Sequence, residues 1–575
     1  MLPNSSSPLF AAKKPYTSLS HLRHNPTPSI GPISAQSTAQ SVSSTSSSAI
    51  LEAQVKTPSR LVIILTFVVS ISGFLFGYDT GYVSSVLVSI RSDLGGTPLT
   101  IENQEWITSG ASIGAFFASF LAGPLADYFG RRATVVTCDV LFGAGGILQF
   151  TASKLAPMVA GRVVMGLGIG FGSLIAPLYI SELSPRKYRG RLVTVNCLAI
   201  TAGQLVAYGA GAFFQRVDSG WRYTILLSLL PCCVQLITVL LLPDTPRYLI
   251  KAGRFAEAER VLKQVYTHSS GELIDGSIEE LSALNSEQPL TTGFWGSLLT
   301  SMKLLLGSPS NRRALFIACG LQAAQQFVGF NAVMYFAATI FKMLGFANSA
   351  TASCLVAATN FIFTGLAFLA IDRVGRRRML LFTMPAVCLF QILCAVAFLG
   401  IPVDAVQTGM QFTVKPKVEP KVEPIVRPIV KPIVKPTINP TVIPTARFTV
   451  IPTTSTFTVL SLIGFVAAYA SGLGVVPWQQ SEMFPQSVRG LGSAFATATN
   501  WFGSTVVSVS FLTLMHILTP AGTFLVYAAL TALFGIAVYL TYPELGSLQL
   551  EEISLLLQDG FNVHKSVEVH RERLA

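Results

Sequence analysis

Long apolar runs alternate with short polar stretches along most of the chain. Runs able to cross about 30 Å of hydrocarbon fall near 61–88, 106–126, 133–152, 156–180, 191–214, 222–242, 314–341, 350–371, 379–401, 457–482, 491–516 and 521–542. Residues 1–57 differ: they are rich in Ser, Thr, Pro and Gln, with no apolar period, and read as a disordered tail rather than a signal peptide. Between the sixth and seventh runs, 244–312 is polar, with helical spacing and mixed charge from Ala256 to Leu262 and from Ile278 to Leu284. That pattern predicts short amphipathic helices on the membrane surface. The fold class is therefore an all-α membrane protein with twelve transmembrane helices, six on each side of a linker.

The two sides repeat one another. Ser181-Glu182-Leu183-Ser184-Pro185-Arg186-Lys187-Tyr188-Arg189-Gly190 returns as Ser481-Glu482-Met483-Phe484-Pro485-Gln486-Ser487-Val488-Arg489-Gly490. Asp127-Tyr128-Phe129-Gly130-Arg131-Arg132 likewise returns as Asp372-Arg373-Val374-Gly375-Arg376-Arg377. Duplication inside a hydrophobic chain points to a transporter built from two bundles, here 58–243 and 313–542. The stretch 543–575 begins Pro543-Glu544-Leu545, echoing Pro243-Asp244-Thr245, and reads as a polar tail. One segment breaks the symmetry. Across 402–456, Pro416, Pro420, Pro424, Pro428, Pro432, Pro436, Pro440 and Pro444 recur every fourth position, which predicts an extended insertion without a core.

Composition agrees with a membrane class, since 51% of residues are hydrophobic and only 12% charged. A net charge of +12 raises the question of nucleic acid, but the basic residues are not gathered on a soluble module. They sit in short loops on one side: Arg131 and Arg132, Arg186 to Arg191, Arg373 to Arg378, and Arg489. Positive residues mark the cytosolic side, so both termini are expected in the cytosol and 402–456 outside the cell. All eight cysteines lie in apolar runs without ligand spacing, and His268 has no second ligand nearby, so neither a metal nor another cofactor is expected. No nucleophile with an orienting base, and no paired carboxylates, share a depth, which argues against an enzyme.

The polar residues within the spans carry the chemistry. Asp79 lies roughly 27 Å from the inner end of the first helix, and Arg162 roughly 10 Å from the outer end of the fourth, both in the outer half. Each would cost about 2.5–3.5 kcal/mol alone near a helix centre, so the two are expected to pair, as a structural ion pair or as a proton site. The glycines Gly166, Gly168, Gly170 and Gly172 follow no strand; they fit close helix packing rather than nucleotide binding. Amides gather at membrane depth: Gln204, Gln322, Gln325, Gln326, Asn331, Asn360 and Asn500. Gln204, Gln325, Asn360 and Asn500 each fall about 15–20 Å deep, close to the midplane, where both halves meet. Amides offer donors and acceptors together, which suits a neutral polyhydroxylated ligand, and Trp478 and Trp501 offer faces for a ring.

Over about 58–560 the chain resembles the sugar porter family of the major facilitator superfamily, and within it the fungal myo-inositol/proton symporters. The residues that carry the likeness are the two Gly-Arg-Arg turns, the two Ser-Glu blocks and Pro243-Asp244-Thr245-Pro246-Arg247-Tyr248-Leu249. To these are added Gly77-Tyr78-Asp79-Thr80-Gly81-Tyr82 with Ser84-Ser85, Gln325-Gln326-Phe327-Val328-Gly329-Phe330-Asn331, Met334-Tyr335-Phe336, and Val476-Pro477-Trp478-Gln479-Gln480-Ser481-Glu482. The resemblance implies import of a polyol, foremost myo-inositol, by proton symport through alternating access, with a hexose or pentose carrier and a non-transporting nutrient sensor as the other readings. It implies a substrate site of Gln204, Gln325, Gln326, Asn331, Asn360, Trp478 and Asn500, and proton coupling by Asp79 with Arg162. It also implies a cytosolic ion-pair gate of Asp127, Arg131, Glu182, Arg189, Asp372, Arg376, Glu482 and Arg489. Surface ion pairs of this kind are worth about 0–1 kcal/mol each. The expected partners are the substrate, the proton and the lipid bilayer, with a monomer working at the plasma membrane.

Overall fold

The structure, a computed structural model, describes residues 57–267, 271–286, 294–401, 452–485, 487–545, 548 and 550–574. The expected disordered tail, His268 and nearly all of the proline-repeat insertion lie outside the described residues, as do the side chains of Asp372 and Glu482. The first half contains α1 (Arg60–Ile90), α2 (Ile101–Phe129), α3 (Arg131–Thr151), α4 (Leu155–Leu183), α5 (Arg186–Phe214), and a sixth span made of α6 (Gly220–Leu227) and α7 (Leu229–Val239). The linker carries α8 (Pro246–Lys251), α9 (Phe255–Val265), α10 (Gly271–Ser286) and α11 (Phe294–Gly307). The second half follows with α12 (Pro309–Phe327), α13 (Phe330–Met343), α14 (Ser349–Val374), α15 (Arg376–Leu399), α16 (Pro452–Ala470), a 3-10 turn (Val476–Met483), α17 (Arg489–Ile517) and α18 (Thr519–Thr541).

Nine spans among the described residues are long and apolar enough to cross a membrane as they stand. The seventh, tenth and eleventh complete the twelve, and each departs from a plain apolar helix for a visible reason. The seventh is broken between α12 and α13, where Gly329 takes φ +77°. The tenth unwinds after Ala470 into the 3-10 turn, and the eleventh, α17, carries Ser493, Thr497, Thr499 and Asn500 in its inner half. Broken helices are where transporters of this kind hold their ligands.

Two differences from the sequence reading stand out. The tenth helix begins at Pro452, inside the stretch expected to be extended. The tail after 543 is not plain polar chain: it forms α19 (Leu550–Leu556) and α20 (Val563–Leu574), with Ile553 and Leu557 buried. The charged residues between the apolar positions of both helices hide the apolar face in the sequence.

Local rules explain the turns. Ser59 and Thr100 cap α1 and α2 through their hydroxyls, and Thr245 does the same for α8 with Pro246 in its first turn. At both Gly-Arg-Arg turns the glycine has positive φ, +93° at Gly130 and +88° at Gly375. An acid then takes the exposed N–H groups: Arg131 N donates to Asp244 Oδ1 at 3.0 Å, while Arg376 N and Arg377 N donate to the two oxygens of Glu544 at 3.0 Å. A Cβ at Gly130 would lie 2.1 Å from Asp244 and one at Gly375 2.6 Å from Glu544, so only glycine fits. The echo of Pro243-Asp244 in Pro543-Glu544 is thus a repeated clasp on a helix N-terminus.

Within the first bundle α1 packs on α5, and α2 and α3 pack on α4; within the second α15 packs on α16 and α18. Backbones approach closely at small residues: a Cβ at Gly77 would sit 1.8 Å from Ile200 O, and one at Gly114 2.1 Å from Val163 O. The bundles meet along α2 with α17, α5 with α14, and α1 with α13.

Candidate functional site

Gln322, Gln325 and Gln326 share one face of α12 in its last two turns, by their i, i+3, i+4 spacing. The break that follows turns Asn331 back so that its Nδ2 donates to Gln326 Oε1 at 2.7 Å. From α17, Asn500 Nδ2 donates to Gln322 Oε1 at 2.6 Å and to Gln325 Oε1 at 2.7 Å, and its Oδ1 accepts from Gln326 Nε2 at 3.1 Å. The unwound tenth helix supplies carbonyls: Leu473 O accepts from Gln325 and Pro477 O from Gln322. Gln480, in the 3-10 turn, accepts from Gln322 at 2.7 Å and donates to Thr497. Buried amides need partners, and here they supply them to one another. A ligand rich in hydroxyls offers the same donors and acceptors and so exchanges with these bonds without leaving groups unpaired.

Gln204 and Asn360 form a second group, Asn360 Nδ2 donating to Gln204 Oε1 at 2.7 Å across α5 and α14. Among the described residues no hydrogen bond joins this pair to the Asn500 network. Trp478 is half-buried, and its ring lies 6.2 Å from Phe76, which also stands 5.1 Å from Trp501. Phe76 and Gln480 were missed by the sequence reading, although Gln480 lies inside a motif that it singled out and Phe76 immediately precedes another.

The two charges within α1 and α4 meet. Arg162 Nη1 donates to Asp79 Oδ1 and, at 2.9 Å, to Tyr82 Oη, while its Nε donates to Ile107 O at 3.0 Å. Tyr82 in turn donates to Gln149 Oε1 at 2.8 Å. Arg162 is fully buried and Asp79 is 3% exposed, so the charges have no water to rely on. A further acid went unnoticed in the third apolar run. Asp139 on α3 is 1% exposed and neither of its carboxyl oxygens has a hydrogen-bond partner among the described residues.

The half of the interface away from the linker is held by bonds that no motif announced. In α13 the backbone leaves helical geometry at Phe336, inside the turn that in a regular helix would join Ala338 N to Met334 O. Tyr208 Oη from α5 donates to Met334 O, and Ala338 N donates to Ser84 Oγ of α1 at 2.9 Å. Ser112 of α2 meets Ser504 of α17 at 3.0 Å, and Tyr335 meets Ser504 at 3.2 Å. Farthest from the linker, Glu105 of α2 accepts from Thr513 N at 2.7 Å and Thr513 Oγ1 at 2.8 Å.

At the linker end, Arg131 Nη2 lies 2.8 Å from both Asp127 Oδ1 and Glu182 Oε1. The side chains of Arg131 and Glu182 are only 3% and 7% exposed, which corrects the surface value expected above. Removing one member of so buried a pair costs more than the about 0–1 kcal/mol of a solvated one. Arg189, Arg376 and Arg489 lie on the same side; Arg489 Nε donates to Phe484 O at 3.4 Å. The ion pairs that can be described in this group, of Arg131 with Asp127 and with Glu182, lie within the first bundle.

Two helical bundles, with an amide network at the helix breaks of the second and a buried Asp–Arg pair within the first, define a secondary transporter of the major facilitator fold. The chain belongs to the Sugar (and other) transporter family, whose pattern matches residues 65–414 and 441–557 and skips the core of the proline repeat. It is 44% identical over 523 residues to Myo-inositol transporter 1 of Saccharomyces cerevisiae, covering 90% of this chain and 82% of that one. It is 41% identical over 517 residues to Myo-inositol transporter 1 of Candida albicans, covering 90% and 87%. Among solved structures it is similar to the proton:xylose symporter XylE bound to 6-bromo-6-deoxy-D-glucose, with a TM-score of 0.67, 24% identity, and coverage of 86% of this chain and 99% of that one. A partially occluded inward-open form of the E. coli protein gives 0.65 at 23% identity, covering 85% of this chain and 100% of that one.

Proposed function

We propose that this chain imports a neutral polyol, myo-inositol, by proton symport, working as a monomer in the plasma membrane with both termini in the cytosol. The observation that carries the reading is the self-satisfied amide network at two helix breaks, beside an ion pair buried within one bundle. Identity above 40% to two fungal transporters named for myo-inositol supports the choice of substrate. In this reading Gln204, Gln325, Gln326, Asn331, Asn360, Trp478 and Asn500 bind the ligand, trading amide–amide bonds for amide–hydroxyl bonds.

Asp79 takes a proton from the outer side and loses its attraction for Arg162, which keeps Tyr82 and Ile107 O. That change frees α1 to move against α4, so substrate and proton cross together. Asp127, Arg131, Glu182, Arg189, Asp372, Arg376, Glu482 and Arg489 form the cytosolic gate. The direct test is uptake of radiolabelled myo-inositol by proteoliposomes with and without an inward proton gradient, in competition with glucose and xylose. Concentrative, gradient-dependent uptake that myo-inositol competes best supports the reading. Preference for glucose or xylose would make the protein a hexose or pentose carrier, and binding without uptake a sensor.

A further inference from the structure

A pocket of about 330 Å³ opens at the linker end of the second bundle, where the start of α12, the end of α18 and the segment before α20 converge. It is lined by Pro309, Arg312, Arg313, Phe316, Thr541 and Phe561. Arg313 is fixed in place: its Nη1 donates to Leu557 O at 2.8 Å and Gln558 O at 2.6 Å. Those acceptors are neutral carbonyls, so its charge is not cancelled. Arg312 is exposed, its guanidinium with no hydrogen bond or ion pair among the described residues, and Asp559, next to Gln558, pairs with neither arginine. The wall toward the bilayer is apolar: Phe316 is 59% exposed, with its ring 6.1 Å from that of Phe561.

Two guanidinium groups and two phenyl rings at a membrane boundary match a molecule with an anionic head and an apolar body. We infer that this pocket binds the headgroup of an anionic phospholipid, with the phosphate on Arg312 and Arg313 and the glycerol and upper acyl chains along Phe316 and Phe561. Guanidinium is the group best shaped to take phosphate oxygens in pairs. A volume near the lower end of small-ligand sites fits a headgroup and leaves the acyl chains outside. A second pocket at the same level, between α3 and α7, supplies the contrast. It is larger, about 460 Å³, but Asp244 lines it beside Arg132, and that carboxylate repels an anion. The orientation proposed above places the lipid in the cytosolic leaflet, which carries the anionic lipids.

The test uses the full chain in detergent micelles and a fluorescent short-chain phosphatidylserine, with binding followed by anisotropy. Phosphatidylserine should bind in preference to phosphatidylcholine, Arg312→Gln should weaken it about fivefold, and Phe316→Ala should weaken it while leaving the melting temperature unchanged. Equal binding of the two lipids, or full affinity in Arg312→Gln, would overturn the proposal. Displacement by soluble phosphoserine as effective as by phosphatidylserine would also overturn it, by showing a free-anion site. None of these readouts depends on what the protein transports.

Discussion

Asp79 and Asp139 are both carboxyls buried in the first bundle, yet their surroundings ask different things of them. Asp79 has a cation, and truncating either member of such a pair leaves an uncompensated charge at a cost of about 3–5 kcal/mol. Asp79→Asn keeps the shape and the hydrogen bond but removes the charge, so concentrative uptake should vanish while exchange of labelled for unlabelled substrate continues. A variant that still accumulates substrate would place coupling elsewhere. Asp139 has no hydrogen-bond partner to lose among the described residues, so Asp139→Asn should fold and accumulate substrate as the parent does; loss of accumulation would make it a second coupling acid. At the binding site the residue that holds most together is Asn500, which bonds three glutamines. Asn500→Ala leaves buried amides unpaired, each worth about 1–3 kcal/mol. It should raise the KM for myo-inositol by tenfold or more, as direct uptake kinetics would show. Single amides at membrane depth were legible in the sequence. Which amide bonds which was not, because those bonds depend on backbone breaks that only the folded seventh and tenth helices display.

Among the elements, α13 has the most unusual arrangement. A continuous helix would join Ala338 N to Met334 O; here each group bonds the opposite bundle instead, to Ser84 and to Tyr208. The two cross-bundle bonds can therefore be given up cheaply, since straightening α13 re-forms one backbone bond from the same donor and acceptor. Tyr208→Phe combined with Ser84→Ala should favour the outward-open state. Impermeant maleimide should then react faster with a cysteine placed at Ser112, in a cysteine-depleted background; an unchanged rate would mean that α13 does not hold the outer side. The sequence displayed this helix as an apolar run with a Met-Tyr-Phe motif, and nothing in periodicity foretells a swap of hydrogen bonds. The Gly-Arg-Arg turns were easier to read, because a glycine before two basic residues has few structural reasons to recur at equal spacing.

For the molecule as a whole, duplication was the most legible property, and the insertion at the ninth-to-tenth connection the clearest departure from it. The family pattern resumes at residue 441 after leaving off at 414, so deleting 415–440, the part it skips, should leave uptake nearly intact. Alternating access also requires the two ends of the interface to oppose each other. Glu105 clasps α17 across the interface at the outer end, through bonds to a charged acceptor worth about 1.5–3 kcal/mol, and Glu182 orders Arg131 inside the first bundle, as part of the proposed gate at the inner end. Glu105→Gln should then shift the population outward about tenfold or more, and Glu182→Ala should shift it inward. The two lie at opposite ends of the membrane span and share no partner, so their effects should add. The double variant should return toward the parent balance, read as the ratio of labelling from outer-mouth and inner-mouth cysteines. A double variant that matches either single one would mean that the two ends are not coupled through one equilibrium.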